Sequence, residues 1–453
     1  MTTTGSPASH VSPPVVCNAM APRRQQGFRQ WRGAARSTRV VRVFAVAMLV
    51  TGLSTGSKIA HAVSLSDRIP GLFGGTLITT VQKSVADPRQ SESQHLRFAS
   101  QFNSLSADLA AAHSQAPVPS ASGAFRFGWD PELDTFVRST ESLGSGIAER
   151  APTLGRYTGT FSISYTHIDY DTLEGTSLSN LRFSQSAFSQ GLINTGNVPA
   201  DDFINSQLKM GLSFDTFFFT GAFGVTDSID VSLALSISEA RMHATVVSLI
   251  QKPSGQAGTS FFLEDANRLV AKSGQICGFP NSPFAKCATD GFSDSAFGTG
   301  DLFLRGKWHF YDTEYADFAV AGVLTLPTGN ADNFLGFNDP TFTPWLIASK
   351  NFGRVSPHLN LGYAFRSGAD VSQAEWIAGA DVRATKWLTL AADFLGYHDD
   401  KRDGINDDIL QSAVGFKVNP FGKVVIGGTF QFPLNRDGIR ADVIYSGQIE
   451  YTY

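Results

Sequence analysis

The sequence predicts an all-β fold: a transmembrane, antiparallel, up-and-down β-barrel of twelve strands. Three observations carry this. Twelve segments alternate apolar and polar residues over about ten residues or more, the length a tilted strand needs to cross a bilayer, where strands of soluble sandwiches run to about 5–6. The connections between them alternate short and long. The chain opens with an export address yet holds no apolar run long enough for a spanning helix, which would need about 20 residues.

The address occupies residues 1–62. Arg23, Arg24, Arg29, Arg32, Arg36, Arg39, Arg42 and Lys58 stand there with no acidic residue, followed by "VFAVAMLVTGL" at 43–53 and "AHA" at 60–62. A basic n-region, a short apolar core and a small-x-small site make a secretory signal peptide, cleaved near Ala62. Its removal takes eight of the 36 basic residues and none of the 40 acidic ones, leaving a mature net charge of −12. No basic field remains to track phosphates, so nucleic acid is excluded as a partner. The palette of 11% aromatic residues, 43 glycines and 17% charge suits strands and turns.

Residues 63–155 differ in character. Ser, Ala, Gly and Pro dominate, with "AAAHSQAPVPSASGA" at 110–124 reading as a linker. "SLSDRIPGLFG" predicts a short helix beginning near Ser66 with Pro70 in its first turns, and "AFRFGWDPELDTFVRS" at 124–139 predicts a hairpin turning at Asp130–Pro131. The whole is an N-terminal plug inside the barrel or a periplasmic extension. If its hairpin joins the wall, the strand count becomes fourteen.

The barrel itself, 156–453, is built from segments near 156–170, 207–222, 229–245, 300–310, 317–327, 341–350, 355–366, 374–383, 386–397, 409–418, 422–433 and 440–453. "DLFLRGKWHF" sets Leu302, Leu304, Trp308 and Phe310 against Asp301, Arg305, Lys307 and His309. "VSPHLNLGYAF" sets Val355, Leu359, Leu361, Tyr363 and Phe365 against Ser356, His358 and Asn360. Short connections at 224–227, 311–316, 351–354, 384–385 and 419–422 alternate with longer ones at 171–206, 246–299, 328–340, 367–373, 398–408 and 434–439. Short periplasmic turns and long outer loops are the habit of bacterial barrels. The final "ADVIYSGQIEYTY" alternates to its last residue, which places Tyr451 and Tyr453 in the aromatic girdle of the lower rim, a C-terminus resembling the signal read by the barrel-assembly machinery.

Lipid offers no partner to a free backbone N–H or C=O, so the sheet must close, and its faces must be apolar outward and polar inward. The polar parity is therefore a lumen lining. Its candidate path residues are Arg305, Lys307, His309, His358, Asn360, Asp381, Arg383 and Asp393, with Glu450 and Lys417 on further strands. Ser356, His358 and Asn360 make the best available catalytic trio, but polar residues alternate on every inward face, and no enzyme is expected. "GSGIAER" at 144–150 lacks the Lys-Ser/Thr ending of a phosphate loop. Cys277 and Cys287 read as one disulfide in an outer loop; no metal site accompanies them and no cofactor is expected.

Four stretches resemble one family: "GSGIAERAPTLGRYTGTFSISYTHIDYDTLEG" (144–175), "GTGDLFLRGKWHF" (298–310), "LPTGNADNFLGF" (326–337) and "SPHLNLGYAF" (356–365). They are similar to the bacterial outer-membrane proteins described as Putative MetA-pathway of phenol degradation, over about residue 124 to the end. The resemblance implies an outer-membrane barrel, set among lipid and lipopolysaccharide, that passes hydrophobic or aromatic small molecules. It supplies no binding residues. The contrasting expectation is a structural or adhesive barrel with a closed lumen, whose loops 171–206 and 246–299 make the contacts.

Overall fold

Twelve antiparallel strands close on themselves in the computed structural model, which describes residues 63–74, 77–82, 91–95, 120, 127–130, 135–138, 142–186, 203–251, 261–265, 287–366, 372–400 and 408–453. In chain order the wall is β1 (Gly159–Leu173), β2 (Phe203–Gly224), β3 (Ile229–Gln251), β4 (Cys287–Asp312), β5 (Asp317–Leu326) and β6 (Thr341–Ser349). It continues through β7 (Val355–Arg366), β8 (Gln373–Arg383), β9 (Leu388–Asp399), β10 (Asp408–Phe421), β11 (Val424–Pro433) and β12 (Ile444–Thr452). Each strand pairs with its sequence neighbour, and β12 returns to β1, from Tyr445↔His167 to Thr452↔Thr160. The ring of strand pairings is therefore closed, which is what lipid demands. Among the described residues no helix is long and apolar enough to cross a membrane.

All twelve expected strands are present. The largest departure is length: β2, β3 and β4 run to 22, 23 and 26 residues, so both ends of the expected loop 246–299, 246–251 and 287–299, are wall. The last connection differs too. Ile439–Ala441 forms a short strand against β1 before β12 begins. The hairpin Phe127–Asp130/Thr135–Arg138 forms as expected but as a separate two-stranded sheet, so the wall stays at twelve. Leu77–Gln82, Ser91–His95 and Phe261–Asp265 make a separate three-stranded sheet. The expected helix forms as α1 (Leu65–Gly74), opened by Ser64, whose hydroxyl donates to Asp67 at 2.7 Å. Cys277 lies outside the described residues, and with it the Cys277–Cys287 disulfide.

Short turns gather at one rim and the long connections at the other. Gly353 shows what the short turns require: its φ of +76° suits the tight hairpin between Phe352 and Val355. The face rule holds along the part of the wall nearer the short turns. Ile229, Val231, Leu233, Leu304, Leu361 and Ile449 are exposed outward, while Thr160, Ser162, Lys307, His358, Asp381 and Glu450 are buried inward. On β3 the outward apolar row runs from Ile229 to Ile237. Nine residues at about 3.4 Å rise and a tilt of about 40° span roughly 20 Å along the barrel axis, close to the ~25 Å apolar band of such barrels.

The lumen and the segment that crosses it

Residues 142–156, which immediately precede β1, do not trail away from the barrel. They run across its lumen near the short-turn rim, and most of them are buried. This stretch has almost no regular backbone pairing, so its polar groups must find partners on the wall. They find them strand by strand. At one end the Ser142 hydroxyl donates to the Asp381 carboxylate on β8, and the Leu143 N–H donates to Thr389 Oγ1 on β9 at 3.0 Å. The Ser145 hydroxyl donates to Asp393 at 2.6 Å and also accepts the N–H groups of Ile147 and Ala148, folding the chain into a tight turn. Ile147 then packs on Leu395 and Ala413. At the other end the Ala151 N–H donates to Ser349 on β6 at 2.9 Å, and the Leu154 N–H donates to Asp230 on β3 at 3.0 Å.

Charge is concentrated midway. Glu149 is buried and forms an ion pair with Arg305, with the Lys307 ammonium 3.7 Å away. Lys307 lies 3.6 Å from Asp230 and donates to the carbonyls of Arg150 and Pro152 at 3.2 and 3.1 Å. Asn360 donates to the Glu149 carbonyl at 3.1 Å. Buried charges persist only when paired and hydrogen-bonded. Here the wall supplies the cations and the crossing segment supplies the carboxylate between them.

His358 occupies a second node. Its Nε2–H donates to Asp393 at 2.6 Å, and its Nδ1 lies 3.8 Å from Asp381, so the two carboxylates that hold Ser142 and Ser145 also flank one imidazole. Six of the eight expected path residues, Arg305, Lys307, His358, Asn360, Asp381 and Asp393, form one lattice around the segment. His309 sits at the rim with its ring 2.7 Å from Asp312, away from the lattice. Arg383 is half-buried at the rim end of β8, where its N–H donates to the Arg354 carbonyl at 2.8 Å. Asp301 also left the stripe. One extra residue in β4 between Thr299 and Leu302 turns its carboxylate to accept the N–H groups of Gly329 and Phe337, at 3.0 and 2.8 Å.

Sequence reasoning missed Ser142, Ser145 and Glu149. A bulged or irregular strap has no period to detect, and the available signal was the single acidic side chain in "GSGIAER", set among small residues. Among the described residues no His, Cys, Asp and Glu group could hold a metal ion.

Residues 239–435 match the model of the family described as Putative MetA-pathway of phenol degradation, a span containing three of the four motifs that suggested it. No curated protein matches the sequence. Among solved structures, an outer membrane channel from Pseudomonas putida F1 is similar at 12% identity, covering 67% of this chain and 98% of that one, with a TM-score of 0.40. A FadL homologue from Pseudomonas aeruginosa is similar at 9% identity over 66% of this chain and 90% of that one, with a TM-score of 0.30. The CymD monoaromatic hydrocarbon channel is similar at 8% identity over 66% and 88%, again at 0.30.

Proposed function

We propose that this barrel is a passive channel of the bacterial outer membrane for small apolar, aromatic compounds, and that residues 142–156 are its resting closure. One observation carries the reading. Beside the wall's own pairs, His358–Asp393 and Lys307–Asp230, the inward Arg305, Asp381 and Asp393 are partnered by Glu149, Ser142 and Ser145 of a chain segment that crosses the lumen, so its release would leave a polar pore. A barrel of twelve strands is wider than the eight-stranded ones that side chains alone can fill. Something must occupy the surplus, and a strap tied by hydrogen bonds and ion pairs can be exchanged for water more cheaply than an apolar core. The substrate class follows from the family description, whose subject is phenol degradation.

The remaining assignments accompany that reading. Residues 1–62 serve as the export signal with cleavage near Ala62, the short-turn rim faces the periplasm, and Tyr451 and Tyr453 present the C-terminus to the assembly machinery. Lipopolysaccharide surrounds the opposite rim. No chemistry on substrate is assigned to the His358 node, because both of its carboxylates are committed to serine hydroxyls of the strap.

The filled lumen also fits the second reading, a structural barrel that never opens. Uptake of phenol, benzoate and toluene into liposomes carrying the purified protein separates them, with Ser142→Ala/Ser145→Ala alongside the wild type. A channel takes up at least one of these compounds, faster in the variant. No uptake by either protein, with both folded, leaves the structural reading.

A further inference from the structure

On β1, β2 and β3 both faces of the wall change polarity at one level. Tyr165, Phe217 and Ile237, directly paired across the three strands, end the outward apolar band. One step further from the short-turn rim stand His167, Asp215 and Glu239, outward and bound together with Arg241, with the His167 ring 2.8 Å from Asp215. This belt belongs in water, so the wall beyond it rises clear of the lipid. The inner face inverts at the same height. Thr166, Thr216 and Ser238 form its last polar row, with Thr216 and Ser238 hydrogen-bonded at 3.0 Å. Beyond them the inner surface is apolar, led by Ile168, Phe214, Leu212, Met210 and Met242, all buried.

An inward polar face suits a pore, and an outward polar face needs no apolar backing from lipid. The upper wall is therefore built around apolar contents of its own. It holds two pieces of this chain. Phe334 and Leu335 fold in from the β5–β6 connection, drawn down by Asp301. Helix α1 places Leu65 and Leu72 in the same cluster. Its polar contacts to the wall and its loops include the Arg68–Asp294 ion pair, partly exposed, and the Leu65 N–H on Asn333 Oδ1 at 3.1 Å.

Resting on the channel reading above, we propose that this upper chamber is a capture site for a small apolar ligand, and that α1 is the occupant the ligand replaces. A ten-residue helix that carries Pro70 has little stability of its own, so its packing in the chamber must hold it in place. Two leucine side chains match a monocyclic or bicyclic hydrocarbon in bulk and polarity. Met210 and Met242 give a lining that reshapes around different rings, and the edge-to-face pair Tyr170–Phe214, 5.9 Å apart, offers aromatic contacts. A ligand taken up here sits above the strap, between outer water and the polar lumen.

The test uses the whole chain in liposomes, carrying Leu72→Cys in a Cys277→Ser/Cys287→Ser background. A membrane-impermeant maleimide reacts with Cys at 72 only when α1 leaves the chamber. Naphthalene near ten times its dissociation constant should speed labelling about tenfold by simple competition, and glucose should not. Adding Met242→Gln, similar in length but polar, should remove most of that acceleration while heat-modifiable migration shows the barrel still folded. Unchanged labelling with naphthalene, while the same liposomes take naphthalene up, overturns the capture site and leaves the channel standing. Acceleration without uptake keeps the site and removes the channel reading.

Discussion

Glu149→Gln isolates the strap from the wall. The native side chain is 6% exposed and stands between Arg305 and Lys307, whose side chains are 17% and 4% exposed. Breaking a fully buried pair costs about 3–5 kcal/mol. Two features reduce that here. Arg305 keeps some access to water, and Lys307 retains Asp230 at 3.6 Å and two backbone carbonyls. The glutamine can still offer an oxygen to one cation, so roughly 2–3 kcal/mol is expected, discounted from the buried case. The loss falls on the strap and not on the barrel, because the wall strands keep their own ladders. In planar bilayers the open fraction should therefore rise by a factor of roughly 30–150, at about 1.4 kcal/mol per tenfold. Glu149→Gln/Arg305→Gln should recover part of this, since the double variant no longer strands a guanidinium. Conductance and protease access at 142–156 both unchanged in Glu149→Gln would refute the argument that charge pairing holds the strap in place.

Three further outcomes are expected. Leu361→Arg, outward on β7, should destabilise insertion by about 2–4 kcal/mol if it stands near the bilayer midplane, read by urea titration of folded barrel in lipid, whereas Ser356→Asn on the inner face of the same strand should be far milder. Asp301→Asn should weaken two charge-assisted hydrogen bonds, at about 1–3 kcal/mol together, so that limited proteolysis cuts 327–340 sooner while heat resistance persists. Cys277→Ser should leave heat resistance nearly intact, because a disulfide closing so small a ring contributes about 3 kcal/mol at most, and locally; mass analysis without reductant should show the wild type two hydrogens lighter than its reduced form.

The wall was legible because a transmembrane strand obeys one rule along its whole length. Lipid on one side and a polar lumen on the other force period two, and any slip by one residue would put Lys307 or His358 into hydrocarbon. Turn chemistry at Gly353 and the alternation of short and long connections then fixed the number of strands and its evenness. The pairing of Thr452 with Thr160 closes the sheet where the alternation pointed.

Two features escaped for the same physical reason, that a period reports a face and not the solvent touching it. On β2, "LKMGLSFDTFFFTGAFG" (208–224) alternates on either side of Asp215–Thr216, and its outward apolar members begin only at Phe217, whereas Leu208, Met210, Leu212 and Phe214 lie inward. A reader assuming lipid throughout places Leu208, Met210 and Leu212 outward. The structure puts them inside, because Lys209, Ser213 and Asp215 must meet water and parity leaves no other choice. The change of phase was therefore present in the sequence as two adjacent polar residues, Asp215–Thr216, breaking an alternating run. The strap is the opposite case. Its burial comes from carboxylates far along the chain, Asp230, Asp381 and Asp393, and no local pattern in 142–156 could have named them. The unbalanced lumen was the available clue: inward Arg305 and Lys307 on one strand require an anion from somewhere, and Glu149 is the acidic residue nearest in the chain before β1.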